Sequence, residues 1–369
     1  MKQSKIRFVT LFPNCPNVGL VKDVGQIPYV LGKLENNIET KLVSSEIDFE
    51  GVNIDNVKGL TIEKVPSILH NARITGCLYL LKNAKNIDWL NIYHGGRRCY
   101  YWTKLYKFLN PGGKVYIKMD LNYEGCRRYK ENRRERKIFL KTSKAADIVS
   151  VESEKIQKLV KENTGFDVKI LTNGYIDVAE TALTDIPKEK SFITVGRLGT
   201  PEKATDLLLE AFAQSASEHD WKLKLVGTVE EQFNIYIKEY FERYPELRNR
   251  VIFTGPIYER EKLYAEYRSA RTFVLPSLWE ASPLVGPEAL YNGCRMILSD
   301  IIPPIKELTN DLKYGTTVKT GDIASLADVL LQETRREYLD AEVLEIQQYA
   351  KENLMWNSIC KRLYEMLVN

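Results

Sequence analysis

The sequence predicts an α/β protein of two doubly wound domains, each a parallel sheet covered by helices on both faces. Its 369 residues exceed the roughly 250–300 at which a single core stops growing. Short, almost continuously apolar runs alternate with longer amphipathic stretches, which is the pattern of parallel strands buried on both sides. These runs form two successive series, so two such sheets are expected.

The first series is IRFVTLF, TKLVS, WLNIYH, KVYIKMD, DIVSVES and DVKILTNG. The second is SFITVGR, KLKLVG, RVIFTG, TFVLPS and RMILSD. Helices are expected between the later strands, over residues 205–217, 233–244, 259–270 and 323–335. A polar stretch at residues 177–189, containing Pro187, marks the boundary. The expected organisation is a first domain over 1–183, a second over 184–345, and a helix over 346–369. That last helix carries Trp356, Ile359, Leu363 and Leu367 roughly on one face. It either caps the second domain or crosses back to the first.

No apolar run approaches the ~20 residues that span a bilayer, and the opening MKQSKIRFVTLFPNCP reads as a buried strand rather than a signal peptide. The six cysteines form no CxxC pair and stand among three histidines, which argues against a metal cluster or disulfide framework and for a cytoplasmic setting. No GxGxxG follows the first strand, so a dinucleotide dehydrogenase is not expected. Charge is uneven: residues 97–144 hold 15 Lys and Arg against 4 Asp and Glu. Interleaved with Tyr100, Tyr101, Trp102, Tyr106 and Phe108, this segment fits a solvated helix face, or peripheral contact with anionic membrane or a lipid-diphosphate acceptor. Nucleic acid is not expected as a partner.

Two loops carry chemistry. Gly196 and Arg197 follow the strand SFITV, and Lys203 precedes the next helix. Ligands of open α/β sheets bind beyond the carboxyl ends of the strands, where an Arg fork and a Lys charge can neutralise a diphosphate without a metal. The second loop is EASPLVGPEAL, from Glu280 to Leu290, after the strand TFVLPS. Pro287 suits a first helical position, and amides around Leu284 to Glu288 then face outward at a helix start that favours phosphate. Glu280 and Glu288 bracket the loop and can accept hydroxyl hydrogen bonds. Each feature alone also fits surface cations or a carboxylate favoured by the helix dipole.

In combination, and in the order VGRLGTPEKATDLLLEAF, KLKLVG, VIFTG, ARTFVLPSLWEASPLVGPEAL and GCRMILSD, the stretch from Ile193 to Asp300 resembles the retaining glycosyltransferases of family 4. Weaker echoes are AADIVSVES, the NG at Asn173 and Gly174, and the final WNSICKRLYEML. The resemblance implies the GT-B fold: two Rossmann-like domains facing a central cleft. It implies transfer of a hexose or N-acetylhexosamine from a nucleoside-diphosphate sugar, with UDP the default, to a glycan, lipid-linked or protein-linked hydroxyl in surface polysaccharide or glycoconjugate synthesis. No cofactor or metal is implied.

Carried over by position, Arg197 and Lys203 would bind the diphosphate, Glu288 the ribose, and Glu280 the transferred sugar. The amides of Ser282, Leu284 and Val285 would line the phosphate, and Ile257 would lie near the base. Ala204 stands where the family usually has Gly, and Pro283 supplies no amide. In the first domain, Gly19 is the candidate for a glycine loop facing the donor, with an ordinary connection as the alternative. Asp120 is the candidate for contact with sugar or acceptor, and His94 is its rival. A non-catalytic GT-B partner of another transferase is the competing function.

Overall fold

The computed structural model describes residues 5–47, 57–177 and 186–369. The chain divides into two units: Met1–Ile176 with Trp356–Asn369, and Asp177–Met355. The expected 183/184 boundary lies outside the described residues.

In the first unit the apolar runs become β1 (Ile6–Leu11), β2 (Ile38–Ser44), β4 (Trp89–Tyr93), β5 (Lys114–Lys118), β6 (Ile148–Val151) and β7 (Lys169–Ile170). A polar edge strand, β3 (Thr61–Lys64), shows no apolar run and was not legible in the sequence. The sheet order is β3-β2-β1-β4-β5-β6-β7, with every pairing parallel. Order reverses between β1 and β4, the switch point of a doubly wound sheet.

Among the described residues, six α-helices precede the end of that sheet: α1 (Asp23–Leu34), α2 (Ala72–Asn83), α3 (Arg97–Leu109), α4 (Tyr123–Glu131), α5 (Arg133–Ser143) and α6 (Glu154–Thr164). Side chains of Asn71, Asn122, Asn132 and Ser153 accept from first-turn amides of α2, α4, α5 and α6. Asn132 separates α4 from α5 by leaving the helical region at φ −109, ψ 98 while capping the second helix.

The second unit repeats the plan. Its strands are β8 (Glu189–Val195), β9 (Lys222–Val226), β10 (Val251–Gly255), β11 (Ala270–Leu275), β12 (Arg295–Ser299) and β13 (Gly315–Val318). They follow the order β10-β9-β8-β11-β12-β13, again all parallel. Its helices are α7 (Thr205–Ser215), α8 (Phe233–Arg243), α9 (Arg260–Ser269), α10 (Val285–Tyr291), α11 (Ile305–Thr309), α12 (Ile323–Thr334) and α13 (Asp340–Asn353). Here the switch point falls between β8 and β11, which brings the two chemistry-bearing loops to neighbouring strand ends.

The single helix expected over 346–369 is two helices. α13 ends at Asn353 within the second unit, and α14 (Trp356–Val368) belongs to the first. Trp356, Ile359, Leu363 and Leu367 are buried with Ile27, Val30 and Leu31 of α1. Each such side chain contributes roughly 1.5–3 kcal/mol by leaving water. Asn37 Nδ2 donates to Tyr364 Oη at 2.5 Å, fixing the other end of the helix.

Candidate functional site

The loop after β8 turns on backbone proximity. A side chain at Gly227, after β9, would place its Cβ 1.8 Å from the carbonyl oxygen of Gly196, so only glycine lets the two strand ends approach. Beyond Gly196 the chain makes a short turn to Lys203, and Ala204 then adopts a left-handed conformation at φ +49. A non-glycine residue there costs about 1–2 kcal/mol. The cost is tolerated where the first turn of α7 begins, with Thr205 Oγ1 accepting from the Gly199 amide at 3.0 Å.

Lys203 Nζ pairs with Glu280 Oε1, joining the loops after β8 and β11. Ser277 Oγ donates to the same oxygen at 3.0 Å, so Glu280 is positioned from both strands. The side chains of Lys203 and Glu280 are 20% and 13% exposed, partly desolvated but still reachable. Arg197 is 65% exposed and pairs with Glu202 of its own loop. The structure thus gathers Gly196, Arg197, Lys203 and Glu280 at one switch point.

The start of α10 differs from the sequence expectation. The helix begins at Val285 with Leu284 as its cap, so Pro287 occupies the third position rather than the first. The amides of Gly286 and Glu288 are bonded to the carbonyls of Pro283 and Leu284, at 3.1 and 3.4 Å. The outward-facing set is therefore shorter than the expected Leu284–Glu288 series. Ser282, Leu284 and Val285 remain partly exposed beside it.

Glu288 does not stand open either. Arg260 Nη1 donates to its Oε1 at 2.9 Å and Tyr267 Oη to its Oε2 at 3.4 Å. Burial raises the Glu288 carboxyl above its ordinary value, with Arg260 and Tyr267 pulling the other way. Arg260 lies three residues beyond Ile257 and is the first residue of α9, at the end of the connection from β10. Neither Arg260 nor Tyr267 was singled out from sequence, because their pairing with Glu288 spans two helices and leaves no local spacing.

In the first unit, Gly19 is buried in a short 3-10 turn, its amide donating to the Pro16 carbonyl, and a Cβ there would lie 2.5 Å from Cys15 Sγ. Asp120 and His94 are not alternatives in space, since both line one cavity of about 460 Å³ at the carboxyl ends of β4 and β5. Desolvation lowers the His94 imidazole below its ordinary value and Arg98 adds to this, while Asp120 opposes it.

Beneath them, Lys118 is fully buried. Its Nζ is 2.7 Å from Glu152 Oε1 and 3.6 Å from Asp23 Oδ2. Burial pushes the Glu152 carboxyl up to about 7 against the attraction of Lys118. The charges ride inside KVYIKMD and DIVSVES, where a Lys and a Glu interrupt otherwise apolar runs.

Residues 181–351 match the family described as glycosyl transferases group 1. A Haemophilus influenzae protein named as an uncharacterized glycosyltransferase is 28% identical over 173 residues, 45% of this chain and 47% of its own length. The match thus spans about half of that curated relative. Among solved structures, sucrose-phosphate synthase of Thermosynechococcus elongatus superposes with a TM-score of 0.70 at 16% identity, covering 99% of both chains. Anabaena HepE in complex with UDP gives 0.73 at 14%, and the lipopolysaccharide outer core galactosyltransferase WaaB 0.72 at 15%, each with 99% coverage of both chains. The fold is GT-B, with two Rossmann-like domains.

Proposed function

We propose that the chain is a retaining glycosyltransferase that moves a hexose or N-acetylhexosamine from a nucleoside-diphosphate sugar, UDP-linked by default, to an acceptor hydroxyl. The observation that carries this reading is the Lys203–Glu280 pair bridging the loops after β8 and β11, with Arg197 beside it. A diphosphate entering at these strand ends meets two cations. Its sugar meets a carboxylate already oriented by Ser277.

The transition state develops positive charge on the sugar and negative charge on the departing diphosphate. Arg197 and Lys203 lower the barrier by stabilising the leaving oxygens, which removes the need for a divalent metal. Glu280 accepts a hydroxyl of the transferred sugar and, released from Lys203 by the incoming phosphate, keeps its bond from Ser277. Glu288 is held by Arg260 and Tyr267 so that a ribose hydroxyl can share its lone pairs. The departing phosphate takes the acceptor proton in a same-face attack. The complexes of the similar Anabaena HepE with UDP and with UDP-glucose support a uridine nucleotide here.

The acceptor belongs to surface polysaccharide or glycoconjugate synthesis, with the basic face of α3–α5 allowing peripheral contact with an anionic membrane from the cytoplasmic side. Among the described residues no helix is long and apolar enough to cross a membrane.

Calorimetric titration with UDP and UDP-glucose tests the donor site. Arg197→Ala and Lys203→Ala should each weaken binding about tenfold or more, the worth of a charge-assisted hydrogen bond. A chelator should change nothing. Unaltered affinity in both variants removes the assignment.

A further inference from the structure

The cavity shared by His94 and Asp120 carries more charge than a neutral sugar needs. Arg97, Arg128 and Arg134 line it from the starts of α3 and α5 and from within α4. All three are exposed and form no salt bridge among the described residues. Arg127 differs, since it pairs with Glu131 at 3.4 Å. Its volume of about 460 Å³ lies within the ~300–1,000 Å³ range of small-ligand sites.

The backbone is shaped to the same end. His94 and Gly95 are consecutive left-handed residues, at φ +73 and +50. A Cβ at Gly95 would sit 2.6 Å from Met119 Sδ, so the turn closes tightly over the end of β5. A non-glycine residue held at positive φ, as His94 is, is strain of the kind found where a site is being shaped. The turn delivers the thirteen-residue helix α3 to the cavity wall, with Gly96 as a cap that makes no side-chain hydrogen bond. First-turn amides and the positive end of the helix dipole then add to the arginines.

Asp120 and Glu135 also line the cavity. They oppose a bare anion but suit hydroxyl donors, and His94, held toward its neutral form, adds little charge. Three guanidinium groups, a helix start and two carboxylates select a ligand that carries an anion and hydroxyls together.

We propose that this cavity recognises the acceptor through a phosphoryl group, so that the acceptor is a sugar phosphate ester rather than a neutral glycan. This inference rests on the transferase reading above and deepens it. The phosphate is either free in solution or presented by a lipid, and the chemistry of recognition is the same.

Hydrogen–deuterium exchange of the full chain with a hexose phosphate, followed separately over residues 95–103, 125–139 and 196–205, tests it. Slowed exchange is expected in the first two segments. Arg128→Ala with Arg134→Ala should weaken that protection at least tenfold in ligand concentration. Arg127→Ala, charge-matched but paired elsewhere, should leave it unchanged. Vesicles of phosphatidylcholine with phosphatidic acid, against phosphatidylcholine alone, form the second arm: protection by the anionic vesicles alone assigns the phosphate to a lipid.

Protection absent from 95–103 and 125–139 with both probes overturns the inference, as does equal loss in Arg127→Ala. UDP protection at 196–205 is measured on the same sample, so failure here with UDP protection intact leaves the donor site standing. Loss of UDP protection alone strikes the transferase reading and not the cavity.

Discussion

Lys203 and Glu280 lie 77 positions apart in sequence, yet each could be identified because each follows an apolar strand and the two loops together carry the family resemblance, while the sheet order supplies the adjacency of β8 and β11. The rule that ligands sit beyond carboxyl strand ends pointed to each loop separately, and the pairing of β8 with β11 makes them one place. Arg260 and Tyr267 were invisible by the same logic, since they reach Glu288 from a helix, and a helix face offers no such rule. The overlap of Asp120 and His94 in one cavity also escaped the sequence, because adjacency of β4 and β5 says nothing about how the chain turns after each.

His219 shows what a residue's surroundings add. Its Nδ1 accepts from the Trp221 amide at 3.1 Å and from Arg250 Nη2 at 2.9 Å. Protonation would remove that acceptor. Burial, and then the Arg250 charge, lower its pKa from 6.5 to about 4. A base whose folded pKa is depressed binds fewer protons folded than unfolded, so stability rises with pH across this interval. The contribution is complete above about pH 6.5 and disappears as pH falls toward 4. Thermal unfolding followed across that window should show the wild type losing more of its midpoint than His219→Gln. Parallel curves would sink the idea.

At the scale of elements, strands were legible wherever apolar residues ran continuously, and β3 and β13 were missed for the same reason. β3 is a polar edge strand of four residues. β13, Gly315–Val318, is a short strand with only one hydrophobic side chain in its sequence GTTV. Helix spacing gave the buried face of α14 correctly, but the break at Leu354 and Met355 carries no Gly or Pro to announce it. That face is the one through which the first unit is completed. Leu363→Ala should cost about 2–5 kcal/mol, the range for deleting a fully buried leucine side chain, read from urea denaturation with a probe in the first unit. A change under about half a kcal/mol, typical of surface sites, would mean that α14 is not packed as described.

For the molecule as a whole, the division into units is not a division of the chain into halves. The second unit is continuous, Asp177–Met355, while the first needs both Met1–Ile176 and Trp356–Asn369. A fragment spanning 177–355 should unfold cooperatively on its own. A fragment spanning 1–176 should do so only when a peptide of residues 356–369 is added, with circular dichroism and a denaturant titration as the readout. Cooperative unfolding of 1–176 without the peptide would contradict the packing of α14 against α1.

The return of α14 also imposes an order on biosynthesis. Domains usually mature in the sequence in which a ribosome delivers them. Here the earliest-made segment must wait, its greasy α1 groove uncapped, until residues 356–369 emerge, by which time residues 177–355 can already have closed. The nascent amino-terminal half is consequently the stretch on which a chaperone has the longest opportunity to act.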